Sequence, residues 1–213
     1  VRIRNKPWAD EFFEENNHII LQDPFSYKGN WKEAFTDKKP LHLEIGSGKG
    51  QFVAGMAANF PEANFIGIER VKSVMVGALK KVKAAEVSNA VLVNEDAKDL
   101  RDMFSESEID HLYLNFSDPW PKTKHAKRRL TYESFLEQYK EILKDGGKIT
   151  MKTDNRGLFE YSLASFSQFG MVIEDVTLDL HELEEEKNVM TEYEEKFAEK
   201  GQPIYRCIVI NIK

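Results

Sequence analysis

The sequence predicts an α/β fold, a seven-stranded and mostly parallel sheet with helices on both faces, and three observations carry that prediction. From residue 41 onward, short apolar runs rich in β-branched residues alternate with longer segments whose apolar residues recur at helical spacing. That order builds a parallel sheet flanked by helices. The first run leads into three glycines at every second position, Gly46, Gly48 and Gly50, directly ahead of a helix-like segment. Such a turn lets the backbone bend sharply and approach a ligand. Acidic residues stand at the ends of the first three strand candidates, Glu44, Glu69 and Asp96, and ligands of open α/β sheets bind outside the carboxyl ends of the strands.

Taken in order, residues 1–40 show no clear period, two tryptophans and the basic start Arg2-Ile3-Arg4-Asn5-Lys6. They read as an arm that packs on a domain spanning 41–213 and reaches toward the substrate. Strand candidates follow at 41–45, 64–69, 90–95, 111–116, 148–153, 171–178 and 204–212, with helical spacing at 51–60, 73–85, 132–144 and 158–169. Asp145-Gly146-Gly147 reads as the stop of the third helix. A charged stretch at 182–200 separates the last two strands, with a helix expected from Thr191 to just before Gly201. An insertion that long is unusual for a hairpin and reads as a functional flap. No internal repeat or low-complexity segment is visible.

Composition bounds the function. With 213 residues, 41% hydrophobic and 31% charged, one globular domain is expected. The apolar runs are strand-length and the N-terminus has no secretory pattern, so a cytoplasmic protein with no membrane partner is expected. The lone Cys207 lies in the apolar run 204–210 and reads as a core thiol. The five histidines lie far apart, so no metal is expected. The net charge of −6 argues weakly against a nucleic-acid partner. Residues 122–129 are the local exception, with five Lys or Arg and no acid. Charge is segregated, and a basic strip suits a phosphate backbone unless it is only a solvated face.

The glycine loop discriminates between cofactors. A dinucleotide fingerprint needs its third glycine where this chain has Gln51, and a phosphate-binding loop needs Ser or Thr directly after Lys49. A carboxylate at the mouth of the loop, Glu44, repels a pyrophosphate and attracts the ammonium and sulfonium of S-adenosylmethionine. Glu69 stands where an acid accepts hydrogen bonds from both ribose hydroxyls, and Asp96 is placed to reach the adenine. The class I, Rossmann-like methyltransferase architecture is therefore expected, with S-adenosylmethionine as cofactor. A nicotinamide oxidoreductase conflicts with Gln51 and Glu44.

After the fourth strand comes Asn115-Phe116-Ser117-Asp118-Pro119-Trp120-Pro121, whose prolines stiffen the turn that carries Asp118. This run, the following 122–130, Lys152-Thr153-Asp154-Asn155-Arg156-Gly157 and Thr191-Glu192-Tyr193-Glu194 together resemble the bacterial tRNA (guanine-N7)-methyltransferases of the TrmB type. The resemblance spans nearly the whole chain, from Arg4-Asn5-Lys6-Pro7 to Tyr205-Arg206. It implies methylation of the variable-loop guanosine of tRNA, with cofactor near Glu44, Glu69, Asp96 and Asp118. It also implies substrate contacts by Lys122, Asp154, Thr191, Glu192, Tyr193 and Glu194, and RNA contacts by Lys124, His125, Ala126, Lys127, Arg128 and Arg129. Structural roles compete at some of these positions: Asp154 fits a helix cap, and Thr191 with Glu194 fits a capping box.

Guanine N7 carries an in-plane lone pair and no proton, so attack on a sulfonium methyl is a matter of positioning. Positive charge grows on the purine, and Asp118 is the carboxylate expected to stabilise it and to accept hydrogen bonds from guanine N1 and N2. Lys122 is expected on a phosphate or base oxygen, and Trp120 and Tyr193 are candidate stacking platforms for a base swung out of the tRNA core. Two readings stay open on these residues: a methyltransferase for an exocyclic amine, and an RNA-binding protein of this fold without activity. Monomer and homodimer both remain open.

Overall fold

The structure, a computed structural model, describes residues 7–183 and 188–213. The basic start at 2–6 and part of the charged stretch, 184–187, lie outside the described residues. The helix α1 (Ala9–Glu15) and the two-residue strand β1 (Ile20–Leu21) precede β2 (Leu41–Ile45), α2 (Gln51–Asn59), β3 (Asn64–Ile68), α3 (Lys72–Ala84) and β4 (Ala90–Val93). Then come β5 (Ile109–Asn115), α4 (Glu133–Ile142), β6 (Leu143–Thr153), α5 (Arg156–Phe169), β7 (Val172–Thr177), α6 (Glu192–Ala198) and β8 (Tyr205–Ile210).

The strands form one sheet in the order β1-β4-β3-β2-β5-β6-β8-β7, all parallel to their neighbours except β8, which is antiparallel to β6 and β7. From β2, near the middle, the chain runs outward through β3 and β4 and then crosses to β5 on the other side of β2. Between β2 and β5 the order reverses, which opens a crevice at the carboxyl ends of these strands.

Alternation along the strands sends side chains to two cores. Leu41, Leu43, Ile45, Leu112, Leu114, Ile149 and Met151 pack with Leu136, Tyr139 and Ile142 of α4 and Leu158, Phe159 and Phe166 of α5. On the opposite face Phe65, Leu92 and Tyr113 meet Phe52, Val53 and Met56 of α2, Met75, Val76 and Leu79 of α3, and Ala9 and Phe13 of α1. Each fully buried Leu, Ile or Phe is worth about 1.5–3 kcal/mol.

Eight strands stand among the described residues where seven were predicted. The extra one, β1, pairs Ile20 with Leu92 and Leu21 with Val93. Two residues are too few to show any period. The same N-terminal stretch inserts Trp31 fully into the core, where its indole stacks on Phe104 at 4.9 Å and donates to the Met103 carbonyl at 2.7 Å. A second correction concerns Asp145-Gly146-Gly147. The helix α4 ends at Ile142 and these residues lie inside β6, where Gly146 donates to the Asn211 carbonyl and Asn211 to the Gly147 carbonyl, both at 2.8 Å. Glycine here serves close approach rather than a helix stop: a Cβ on Gly147 would stand 2.9 Å from the Lys144 oxygen.

Candidate active site

The glycine loop is tied to the end of β3. The N–H groups of Gly46 and Ser47 both donate to the Ile68 carbonyl, at 2.8 and 2.9 Å. Gly50 has φ +80, and a Cβ there would sit 2.6 Å from the Ala78 Cα, so only glycine lets the loop close against α3. Glu69 seals the turn: one oxygen accepts from Gly48 N–H at 3.1 Å and the other from Val71 N–H at 2.8 Å. A carboxylate has about four acceptor positions, so these two bonds leave Glu69 able to take ribose hydroxyls as well.

Glu44 lies beneath the loop rather than at its mouth, 4% exposed. One oxygen accepts from the Asn115 side-chain amide at 2.9 Å. Its other oxygen is buried without a partner, as are the Ser47 hydroxyl and the Asn115 amide oxygen. Burial pushes the Glu44 carboxyl up to about 8, against the Asn115 hydrogen bond and the Lys152 charge that favour ionisation. Unpartnered buried acceptors are costly, and this group at the ends of β2 and β5 matches the ammonium end of S-adenosylmethionine, which brings donors and positive charge. These acceptors fit that cofactor. Farther out, Asp96 follows β4 on the surface, 3.9 Å from the Lys98 ammonium.

The loop after β5 begins where Phe116 N–H donates to the Lys152 carbonyl at 2.8 Å. Phe116 and Trp120 have φ of +52 and +41, backbone that non-glycine residues adopt only when their surroundings hold them. Arg129 supplies the hold. Its guanidinium donates to the Trp120 carbonyl at 3.0 Å and the Pro119 carbonyl at 3.2 Å, and lies over the Tyr161 ring at 4.2 Å. Asp118 is thereby presented, exposed, on a braced turn. The basic segment forms a 3-10 helix, Thr123–Arg128, beside it. Lys122, Lys124, Lys127 and Arg128 are exposed, whereas His125, Ala126 and Arg129 are half-buried. The Trp120 ring is engaged by Arg128, 4.8 Å from its centroid, and by His125 in an edge contact at 5.7 Å.

At the end of β6 the cap of α5 is Asn155, whose Oδ1 accepts from Leu158 N–H at 2.8 Å, so Asp154 is not committed to that role. Between β7 and β8 the helix α6 is capped by Thr191, whose hydroxyl accepts from Glu194 N–H at 3.0 Å. Only this half of the expected capping box forms. The Glu194 carboxylate turns inward to the buried Lys152 ammonium at 2.6 Å. Glu192 pairs with Lys81 of α3, and Glu195 accepts from Gln51 of α2 at 2.5 Å. These contacts dock α6 beside the glycine loop, with Tyr193 half-exposed and 5.5 Å from Phe116.

Glu44 in β2 and Glu69, Asp96, Asp118 and Asp154 after β3, β4, β5 and β6 thus stand at one end of the sheet, and Thr191–Glu194 form the cap and first turn of the helix docked there. Sequence reasoning missed Lys152 and the inward turn of Arg129 and Glu194. The alternation hides Lys152: in the run Ile149-Thr150-Met151-Lys152 the apolar phase falls on Ile149 and Met151, and Lys152 sits on the polar phase, buried only because Phe52 of α2 and Glu194 of α6 cover it.

The family model described as "Putative methyltransferase" matches residues 38–207. The tRNA (guanine-N(7)-)-methyltransferase of Oceanobacillus iheyensis is 60% identical over 207 residues, covering 97% of each chain. That of Bacillus subtilis strain 168 is 55% identical over 209 residues, covering 98% of each. The chain belongs to the tRNA (guanine-N7)-methyltransferase family. Solved structures agree on the class I methyltransferase fold. A 16S rRNA methyltransferase, KamB, matches with a TM-score of 0.63 at 11% identity over 87% of this chain and 94% of that one. An antibiotic-related methyltransferase matches at 0.58 and 19% identity over 99% and 96%. No helix among the described residues is long and apolar enough to cross a membrane.

Proposed function

We propose that the crevice between β2 and β5 binds S-adenosylmethionine and that the loop after β5 presents a guanine of tRNA to it. The enzyme is a tRNA (guanine-N7)-methyltransferase, and the variable-loop guanosine is its proposed target. The observation that carries the site assignment is the buried, unpartnered oxygen of Glu44 beneath the glycine loop, with Asp118 on the braced turn beyond it.

The cofactor supplies a methyl group on a positively charged sulfur that departs as a neutral thioether. When bound, its ammonium would be held by Glu44, its ribose by Glu69 and its adenine by Asp96. Asp118 would hold the guanine through N1 and N2 with N7 turned toward the cofactor, and its negative charge would offset the positive charge that grows on the purine. No base is needed, because N7 carries no proton. Lys122 and Asp154 orient the nucleotide, and Thr191–Glu194 close one side of the pocket. The exposed Lys124, Lys127 and Arg128 hold the RNA backbone. Acting on tRNA, the protein belongs in the cytoplasm.

Incubation with labelled cofactor and unmodified tRNA, followed by mapping of the modified nucleotide, tests the reading. N7-methylguanosine in the variable loop is expected. N2-methylguanosine or N6-methyladenosine would instead establish the exocyclic-amine reading, and absence of cofactor binding would leave an RNA-binding protein. Asp118→Ala is expected to lower kcat by about 100-fold or more with the fold intact; near-normal turnover would remove Asp118 from the chemistry.

A further inference from the structure

Lys152 takes no part in the steps above, yet it joins both segments that face the substrate. We propose that Lys152 is a positioning residue: its side chain fixes α6 over the crevice, and its carbonyl fixes the start of the loop that carries Asp118. The proposal rests on the methyl-transfer reading and names the residue that assembles its substrate side.

Lys152 is 3% exposed, at the end of β6. An ammonium has three hydrogens, and three acceptors meet it: Glu194 Oε2 at 2.6 Å, the Val189 carbonyl at 3.0 Å and Asn188 Oδ1 at 3.3 Å. All three belong to one stretch of chain, the approach to α6 and its first turn. The second Glu194 oxygen is taken by the Asn188 amide at 2.9 Å and by His181 at 3.4 Å. Phe52 of α2 closes the site, its ring 5.1 Å from the ammonium. Val189 is seated against Gly55, where a Cβ would stand 2.7 Å from the valine Cγ1. The Lys152 carbonyl accepts Phe116 N–H at 2.8 Å, and the Phe116 ring lies beside Tyr193. One residue therefore sets the spacing between Tyr193 and the turn at Asp118.

At seven residues, α6 is too short to hold its shape alone, so tertiary contacts place it. A buried ion pair is often no more stabilising than a well-packed apolar pair of the same volume. What the pair adds is direction: three hydrogen bonds from one ammonium define a single orientation of the helix, and methyl groups do not. Burial pulls the Lys152 ammonium below its usual value, and Glu194 acts against that pull.

Three variants decide the matter: Lys152→Met, Glu194→Gln, and the double Lys152→Met/Glu194→Met, each measured for Tm, cofactor Kd, kcat and KM on tRNA, and hydrogen exchange over residues 188–198. Each single variant is expected to lower kcat/KM for tRNA by about tenfold or more, with cofactor Kd within about twofold and faster exchange in 188–198. The double variant is expected to recover Tm but not kcat/KM, since an apolar pair restores packing without direction. Recovery of both would reduce Lys152 to a packing role and overturn the proposal, as would unchanged kcat/KM in the single variants. If Lys152→Met does not fold, the double variant still separates the outcomes. A wild-type product other than N7-methylguanosine would sink the methyl-transfer reading and leave the exchange data to judge the latch, which fails if exchange is unaltered.

Discussion

At Glu44 the protein buries a carboxyl beneath the glycine loop with one donor and one unpartnered oxygen. Burial raises its pKa to about 8 from an ordinary 4.5, so near neutrality the ligand-free protein holds a proton there. For a group raised on folding, the stabilising contribution is complete below the unfolded value and is lost as pH rises through about 8. Binding of a cationic cofactor reverses the preference, because an adjacent positive charge favours the carboxylate. Cofactor binding at pH 7 is therefore expected to release close to one proton, read as a dependence of the calorimetric enthalpy on the ionisation enthalpy of the buffer. Glu44→Gln is expected to abolish that dependence and to flatten the fall in stability of the free protein between about pH 4.5 and 8. Binding with no proton release would show that Glu44 is already ionised. The sequence made the acid legible but not its surroundings: Asn115 of β5 and Lys152 of β6, which favour its ionised form against burial, are brought beside β2 only by the sheet register.

Among the elements, those with many periods were legible and those with few were not. The four longer helices show in the spacing of apolar residues and seven of the strands as short apolar runs, a signal that holds even at β7, where most residues are exposed. The two-residue β1 has no period, and the Gly-Gly of β6 imitates a helix stop because glycine serves tight approach and turn alike. The loop between β2 and α2 gives the sharper case, since its glycines look equivalent in sequence. A Cβ on Gly46 meets nothing within 4 Å, whereas one on Gly50 would overlap Ala78 of α3 at 2.6 Å, both at positive φ. Gly46→Ala is expected to cost only the backbone strain of about 1–2 kcal/mol. Gly50→Ala adds overpacking of about 1–3 kcal/mol and forces the loop off α3. Chemical denaturation gives both costs, and cofactor binding in Gly50→Ala should fall with stability. Equal costs at the two positions would contradict the role of Gly50 as the contact point.

Across the whole molecule, net charge and the charge at the substrate face have opposite signs. The chain carries −6 in total, while the short helix beside Asp118 presents Lys124, Lys127 and Arg128 to solvent. Such a distribution repels RNA from most of the surface and admits it at one face, so orientation comes before contact. The basic run reads as uniform in sequence; the fold divides it, because Arg129 is turned inward to the carbonyls of Pro119 and Trp120. The division has a measurable consequence. Each phosphate contact adds roughly 0.7–0.9 to the slope of log affinity against log salt, so Lys124→Ala, Lys127→Ala and Arg128→Ala together are expected to flatten that slope by about 2–3 while leaving cofactor Kd unchanged. Arg129→Ala is expected to leave the slope nearly as it is and to lower kcat, because the turn at Asp118 loses its brace. Filter-binding or fluorescence titrations at several salt concentrations, paired with single-turnover rates, separate the two effects. An unchanged slope in the triple variant would return those residues to a solvated surface, and a slope loss from Arg129→Ala equal to that of its neighbours would place its guanidinium on the RNA instead.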